Sequence, residues 1–440
     1  MAGYRALLRE NRSFRLLWSA QIVSFLGDWF NTIAIYTIVN ELSGSGRAFA
    51  GVMVAKTLPI FLVTPVVGPL VDRFDRRRLM IASDLVRAVL VVGLVVAHHA
   101  GNLPVLYGCL VAMVIASGVF IPAQRAALPQ ITEHLATANA LSGATWSVML
   151  ALGAAIGGVV TDRFGTDRAL VLDGVTFLVS AAFLAAMPPL PAPGAEASAR
   201  DRSFVAGLVH LARNGHVAAL AALKPLMSFG GAAITLIPIF GTSVFPGRGG
   251  PLWVGLLYAA RGLGALVGSL GLIRIFGDRS RTLRRMVLVA YPVAAISYFA
   301  LGHAGSPELA ALAYFVAAIA SGANWVLSTT LLQRETDPRF LGRVFAVEFG
   351  VMTLVFSSVG WIAGTALDVG GATPRDVAHA SAWALVLPFV LWSWILWRDR
   401  GRGRDDDGEG RAEDRPHAVP PGGVPEVFED SSEGQPAIRR

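Results

Sequence analysis

Charge is scarce in this 440-residue chain. Asp, Glu, Lys and Arg make up 15% of it, against about 25% in soluble domains. The chain is 54% hydrophobic with a mean hydropathy of +0.56, which excludes an ordinary water-soluble fold. Cysteine is almost missing: Cys109 stands alone, so no internal disulfide and no thiol-pair redox chemistry is available. Lysine is nearly as rare, because Lys56 and Lys224 are the only two among 37 basic residues. No glycine-rich phosphate cradle and no nucleophile–base pattern occurs, so neither nucleotide-driven work nor an enzyme is expected. The pair His98-His99 has no carboxylate or cysteine near it in sequence, so no metal site and no cofactor are expected. The net charge of +7 comes from arginines scattered through short loops, without a nucleic-acid motif.

Apolar stretches of membrane-crossing length are abundant. Twelve recur, at about 14–39, 48–70, 79–97, 104–121, 141–160, 169–187, 217–241, 252–274, 285–302, 308–330, 344–367 and 378–397. Each is near the roughly 20 residues needed to cross about 30 Å of hydrocarbon. The arginines then fall on alternate connections. One set holds twenty (Arg5, 9, 12, 15, 73, 76, 77, 78, 125, 200, 202, 213, 274, 279, 281, 284, 285, 334, 339 and 343), the other only Arg47, Arg163, Arg168, Arg248 and Arg375. Positive residues stay on the cytoplasmic side, so this asymmetry predicts a multi-pass protein with both termini cytoplasmic. The basic start precedes an apolar run too long for a signal-peptide core and reads as an uncleaved first helix.

The longest connection is central and rich in Pro and Ala, and it separates two sets of six spans. The expected organisation is an N-terminal six-helix bundle (1–187), a cytoplasmic linker (188–215), a C-terminal six-helix bundle (216–397) and a disordered cytoplasmic tail (398–440). The tail, acidic and rich in Gly and Pro, cannot bury enough apolar surface to fold alone. The halves resemble each other at an offset of 203 or 204. Ser117-Gly118 matches Ser321-Gly322, and Leu128 and Thr132 match Leu332 and Thr336. Gly68, Asp75, Arg76 and Arg78 match Gly271, Asp278, Arg279 and Arg281. Duplication of this kind is frequent in transporters.

The stretch "GPLVDRFDRRRLM" (68–80) resembles the signature between helices 2 and 3 of the major facilitator superfamily. "SFLGDW" (24–29), "PAQRAALPQI" (122–131), "NALSGATWS" (139–147) and "LLQRETDPRFLGRVFAV" (331–347) are similar to its bacterial exporter branch, which includes the enterobactin exporter and macrolide-efflux pumps. The resemblance implies an all-α, pseudo-symmetric fold of twelve transmembrane helices in a bacterial inner membrane. It also implies a cytoplasmic latch. Gly68 lets helix 2 approach helix 11, Asp72 faces the amino end of helix 11 near Gly342–Val344, and Arg73 and Arg76 bridge to carboxylates or carbonyls. Asp75 replaces the family's second glycine. Two further departures weaken a simple proton-antiporter reading: helix 4 carries no arginine in its body, and "GAAIGG" (153–158) has Ala154 where the antiporter signature has proline.

Charges inside the spans are the candidate proton-coupling groups: Asp28, Lys56, Lys224, Arg261 and Glu348. A charge at mid-bilayer costs about 2.5–3.5 kcal/mol on insertion scales, so each needs a partner or a wet cavity. Asp28 and Lys56 lie at matching depths and are expected to pair across helices 1 and 2, either as a switch or as a structural bridge. Glu348, one turn into helix 11, reads as a coupling carboxylate or, more simply, as a partner for loop arginines. Asp84 and Arg87, three apart, are expected to neutralise each other. In the superfamily arrangement helices 1, 4, 7 and 10 line the cavity, which makes Gln21, Asn31, Phe229, Asn324 and Trp325 substrate-cavity candidates. Asn324-Trp325 follows Ser321-Gly322, where a loosened helix is expected. The expected activity is proton-coupled efflux of a small amphipathic molecule (drug, siderophore or related metabolite) by a monomer in the lipid bilayer. The alternatives are a nutrient importer or proton-independent facilitator, and a transporter-like receptor or lipid scaffold.

Overall fold

The computed structural model describes residues 6–133, 138, 141–142, 145–146, 148–191, 204–245, 247–276, 279–337 and 340–399. Among these no strand occurs. Eleven helices are long and apolar enough to span a membrane: α1 (Arg12–Leu42), α2 (Gly46–Arg73), α3 (Arg76–His99), α4 (Leu103–Ile131), α6 (Thr166–Ala185), α7 (Gly215–Thr242), α8 (Pro251–Phe276), α9 (Ser280–Gly302), α10 (Pro307–Glu335), α11 (Leu341–Asp368) and α12 (Pro374–Arg398). The span expected at 141–160 corresponds to α5 (Ala154–Phe164), entered through a π-turn at Met149–Gly153, with part of its approach outside the described residues. Met1–Trp392 forms one compact unit and Ser393–Arg440 a second. Most of the expected tail and linker positions 192–203 also lie outside the described residues.

Short polar residues set the helix starts. Asn11, Ser45, Asp75, Asn102 and Ser306 each accept from a backbone N–H of the helix they precede. Thr373 and Asp376 form a reciprocal capping box at α12. In a bilayer these caps matter, since unpaired N–H groups there find no water. The duplication shows in the same features. Both α4 and α10 are 29 residues long with proline in the first turn, and Thr132 and Thr336 occupy their C-caps. Their backbone N–H groups bond to Leu128 and Leu332, the residues paired by the 204 offset.

At the arginine-rich end, Asp75 does more than replace a glycine. It caps α3 through Arg78 N (2.9 Å) and accepts from Leu190 N (2.8 Å), while Arg77 donates to the carbonyls of Leu184 and Ala185 at the end of α6. The α2–α3 turn is thereby fastened to the start of the central connection. At the opposite end, α2 and α11 meet closely. Asp368 accepts from Gly46 N (2.6 Å) and Arg47 N (2.9 Å), so a carboxylate sits on the amino end of α2, where it is favourable. A Cβ on Gly364 would lie 2.5 Å from the Gly46 carbonyl, so glycine is what permits this contact. Gly158 of α5 and Gly255 of α8 approach in the same way. The two halves are therefore shut against each other at this end.

Candidate functional site

Halfway along α1 a polar cluster interrupts the apolar packing. Asp28 lies about 24 Å along α1 from Arg12, at about 1.5 Å per residue. Its side chain is 45% accessible, whereas Asp84 and Asp173 are fully buried. Behind it, Arg87 is 3% accessible and 4.0 Å from the Asp28 carboxylate. Arg87 is ion-paired with Asp84, and Ser180 donates to the other Asp84 oxygen at 2.7 Å. The guanidinium also lies 4.2 Å over the Phe177 ring and 4.9 Å over Phe120, so its faces are covered as well as its edge. The expected Asp84–Arg87 neutralisation is present, and Arg87 reaches Asp28 besides.

The expected direct Asp28–Lys56 pair is not formed. Lys56 Nζ instead donates to Thr32 Oγ1 (2.5 Å), and that hydroxyl donates to the Asp28 carbonyl (2.6 Å). Thr32, one turn along α1, intercepts the lysine. Asp173 of α6, fully buried, accepts from Asn31 Nδ2 at 2.9 Å, and its Oδ1 has no hydrogen-bond partner. Gly27 makes room for it: a Cβ there would fall 2.6 Å from Asp173 Oδ1 and 1.9 Å from Thr176 Oγ1. Sequence reasoning passed over Asp173, although it carries the same signal as Asp28, one carboxylate in an apolar run (169–177).

Facing α1 from the other half is α8. Trp29 packs on Tyr258 with ring centroids 5.3 Å apart, and Tyr36 stacks on Tyr258 at 6.2 Å. Arg261 follows Tyr258 by one turn of α8, about 15 Å from Pro251, and Tyr36, Tyr258, Tyr298 and Tyr314 are all within its electrostatic reach. Among the described residues it forms no ion pair. A half-buried cation thus lies one turn from the tyrosine on which Trp29 packs.

The second buried pair joins α7 to α11. Lys224 Nζ donates to Glu348 Oε2 at 2.8 Å, with 6% and 3% of the two side chains accessible. The Trp325 and Phe345 rings lie 4.9 and 5.4 Å from the ammonium. Glu348 is therefore not a partner of the loop arginines; α7 brings a lysine deep enough to claim it. Among the described residues α7 is the most interrupted helix, with Pro225, Pro238 and a 3₁₀ turn at Ser228–Gly231. Tyr291 and Asn324 donate to the Leu223 carbonyl, and Tyr314 to that of Ala233. Side chains thus satisfy carbonyls along the interrupted ladder, as irregular backbone in a membrane requires. The expected loosening at Ser321-Gly322 does not occur, because α10 runs unbroken and Gly322 serves close packing on Ala265.

Of the other expected cavity residues, Gln21 is buried and accepts from Ser142 (3.2 Å), Asn31 is committed to Asp173, and Asn324 has a buried Oδ1 without partner. Phe229 is half-buried and Trp325 exposed. For the latch, the packing around Gly68 and the side chain of Asp72 lie outside what is described. Arg73 is exposed; Arg76 is buried with its backbone N–H on the Leu190 carbonyl. Among the described residues neither arginine bridges to a carboxylate. His98-His99 also departs from expectation, because folding sets carboxylates beside it: His98 lies between Asp167 (2.9 Å) and Glu41 (3.3 Å), and His99 is 3.4 Å from Asp167.

Comparison with known proteins agrees with this architecture. Residues 17–365 match the model of the Major Facilitator Superfamily. The chain is 26% identical over 345 residues to BacE of Bacillus subtilis (strain 168), named for bacilysin export, covering 77% of this chain and 84% of that one. It is 24% identical over 357 residues to macrolide efflux protein A of Streptococcus pyogenes, covering 78% and 86%. Among solved structures, the nucleoside transporter NupG (D323A mutant) superposes with a TM-score of 0.67 at 16% identity, covering 86% of this chain and 99% of that one. A D-xylose-proton symporter gives 0.66 at 16%, covering 86% and 97%.

Proposed function

Because the chain belongs to the Major Facilitator Superfamily, we propose that it exports a small amphipathic solute across a bacterial inner membrane by alternating access, driven by proton entry. It acts as a monomer, its bundles 1–187 and 216–397 rocking about the connection 188–215, with both termini cytoplasmic. The observation that carries the proton-coupled reading is the cluster around Asp28. Asp28, Asp84 and Asp173 are three carboxylates; Arg87 and Lys56 are two cations. One proton on a carboxylate brings the cluster to neutrality, and an uncompensated charge at this depth is costly. Asp28 is the one of the three carboxylates that is accessible, so Asp28 is where that proton is exchanged. Arg87 stays bound to Asp84 in both states and keeps Asp28 in its field. Lys56, held on Thr32, is free to swing to Asp28 when the carboxylate is ionised.

The solute site lies between α1 and α8. Trp29, backed by the buried Tyr36 and Tyr258, offers ring surface, and Arg261 a cation without a carboxylate partner among the described residues, an arrangement suited to a solute with one acidic or electron-rich group on an apolar body. The Lys224–Glu348 pair neutralises itself and steadies the broken α7 beside that site. Export is also supported by the two relatives named for efflux. The test is uptake of bacilysin and of a macrolide, the solutes those relatives are named for, into everted vesicles with an imposed pH gradient. Uptake that collapses with the gradient supports the reading. The apolar body of α4 (104–121) carries no arginine, its one arginine being Arg125 in the last two turns; this favours a proton-independent facilitator, and uptake that ignores the gradient would establish that instead.

A further inference from the structure

We propose that His98, His99 and Asp167 bind a divalent transition-metal ion, with Zn²⁺ as the representative case, at the end of the helices opposite the arginine-rich turn. Three helix ends converge there. Glu41 closes α1, His98 and His99 close α3, and Asp167 stands in the first turn of α6. One ligand atom from each of His98, His99 and Asp167 lies within 4.8 Å of the others. The closest separations are 2.9 Å (His98 Nδ1 to Asp167 Oδ1) and 3.4 Å (His99 Nε2 to Asp167 Oδ2). Ligand atoms around a tetrahedral zinc, bonded at about 2.0–2.1 Å, stand roughly 3.3 Å apart. These two separations bracket that value, and with the three donor atoms inside 4.8 Å of one another a small movement of the exposed His99 completes the set.

The wiring of His98 points the same way. Its Nε2 faces Glu41 at 3.3 Å and its Nδ1 faces Asp167. A neutral imidazole carries one N–H, so it can satisfy only one of these two acceptors. With the proton on Nε2, the nitrogen that faces Glu41, the Nδ1 lone pair is left directed at Asp167, and a cation between them resolves the mismatch. That is the carboxylate–histidine–metal relay, in which an outer carboxylate fixes the tautomer and orientation of the ligating ring. The second imidazole on the same Asp167 supplies the nitrogen-rich donor set that favours zinc over magnesium or calcium. The side chain of His98 is only 17% accessible while that of His99 is 66% accessible, so one ligand is preset and the other is open to an arriving ion. All three helices lie in the first half of the chain, so the ion would staple that half without tying it to the other.

The experiment uses the full chain purified in detergent and freed of metal. Zn²⁺ binding is followed by equilibrium dialysis, Co²⁺ binding by its visible d–d absorption, and thermal stability with and without Zn²⁺. One ion per chain is expected, with a Co²⁺ spectrum of tetrahedral type and a higher melting temperature with Zn²⁺. His99→Ala and Asp167→Asn should abolish all three, and Glu41→Gln should weaken binding by about 10–100-fold as an outer-shell change does. If the unaltered chain binds no ion, or if binding survives in the His98→Ala/His99→Ala double variant, the proposal is overturned. A stabilisation that follows protonation alone, with no Zn²⁺ effect at neutral pH, overturns it too. His99→Ala leaves His98 and its two carboxylates in place, so its loss of binding cannot be put down to misfolding if its metal-free melting temperature is unchanged.

Discussion

Replacing Lys224 by Met removes one partner from an ion pair whose members are 6% and 3% accessible. Glu348 Oε1 already has no hydrogen-bond partner, so the substitution leaves a buried carboxylate with neither oxygen paired. Breaking a buried pair in this way costs about 3–5 kcal/mol, whereas replacing both partners by apolar residues is often neutral or better. Lys224→Met also forfeits the ring contacts with Trp325 and Phe345, each worth about 0.5–1 kcal/mol. Glu348→Leu keeps those contacts and should cost correspondingly less. The double variant Lys224→Met/Glu348→Leu should recover most of the loss, giving a coupling energy of about 3 kcal/mol or more. The assay is equilibrium unfolding in mixed micelles, followed by circular dichroism for the four proteins. Single costs that simply add in the double variant would show that the two side chains do not interact and would refute the pairing.

Other outcomes follow from the same geometry. Gly27→Ala pushes a methyl group into Thr176 and Asp173 and should destabilise by about 1–3 kcal/mol; an unfolding curve that does not move would show that α1 and α6 are not in close contact there. Asp368→Ala frees the Gly46 and Arg47 N–H groups and should weaken closure at that end by about 1–2 kcal/mol. In a Cys109→Ser background, a cysteine at the buried Ala50 should then react faster with a membrane-impermeant thiol reagent than it does with Asp368 intact. Asp75→Ala removes the α3 cap and the Leu190 contact and should lower stability by about 0.5–2 kcal/mol, read from the same unfolding curves. Arg261→Gln should weaken competition by acidic solutes in vesicle uptake more than competition by neutral ones; equal losses would remove the arginine from solute recognition.

The helical architecture was legible because a bilayer imposes one rule over many residues. Runs near 20 apolar residues mark helices, whereas their exact starts at Asn11, Ser45 and Ser306 emerged only from the structure. The duplication was legible for a related reason, since Leu128–Thr132 and Leu332–Thr336 mark the same helix end in both halves. Pairing within one helix followed from spacing, as with Asp84 and Arg87. Pairing between helices did not. Lys224 and Glu348 are 124 residues apart, and no local pattern tells which face of α7 or α11 each occupies. Matching depths along neighbouring helices suggested an Asp28–Lys56 bridge, yet depth leaves rotation about the helix axis open, and rotation puts Thr32 under the lysine. His98 and Asp167 met for the same reason: they are 69 residues apart and become neighbours only when α3 and α6 pack.

The most direct test of the account is solute flux in liposomes holding the purified chain or its Asp28→Asn variant, measured with and without an imposed pH gradient. Bacilysin or a macrolide, whichever the everted vesicles show to be carried, serves as the solute. The account predicts that the gradient drives accumulation by the unaltered chain, and that Asp28→Asn still exchanges solute across the bilayer at equal concentrations but no longer accumulates it. Gradient-driven accumulation that persists in Asp28→Asn would contradict it.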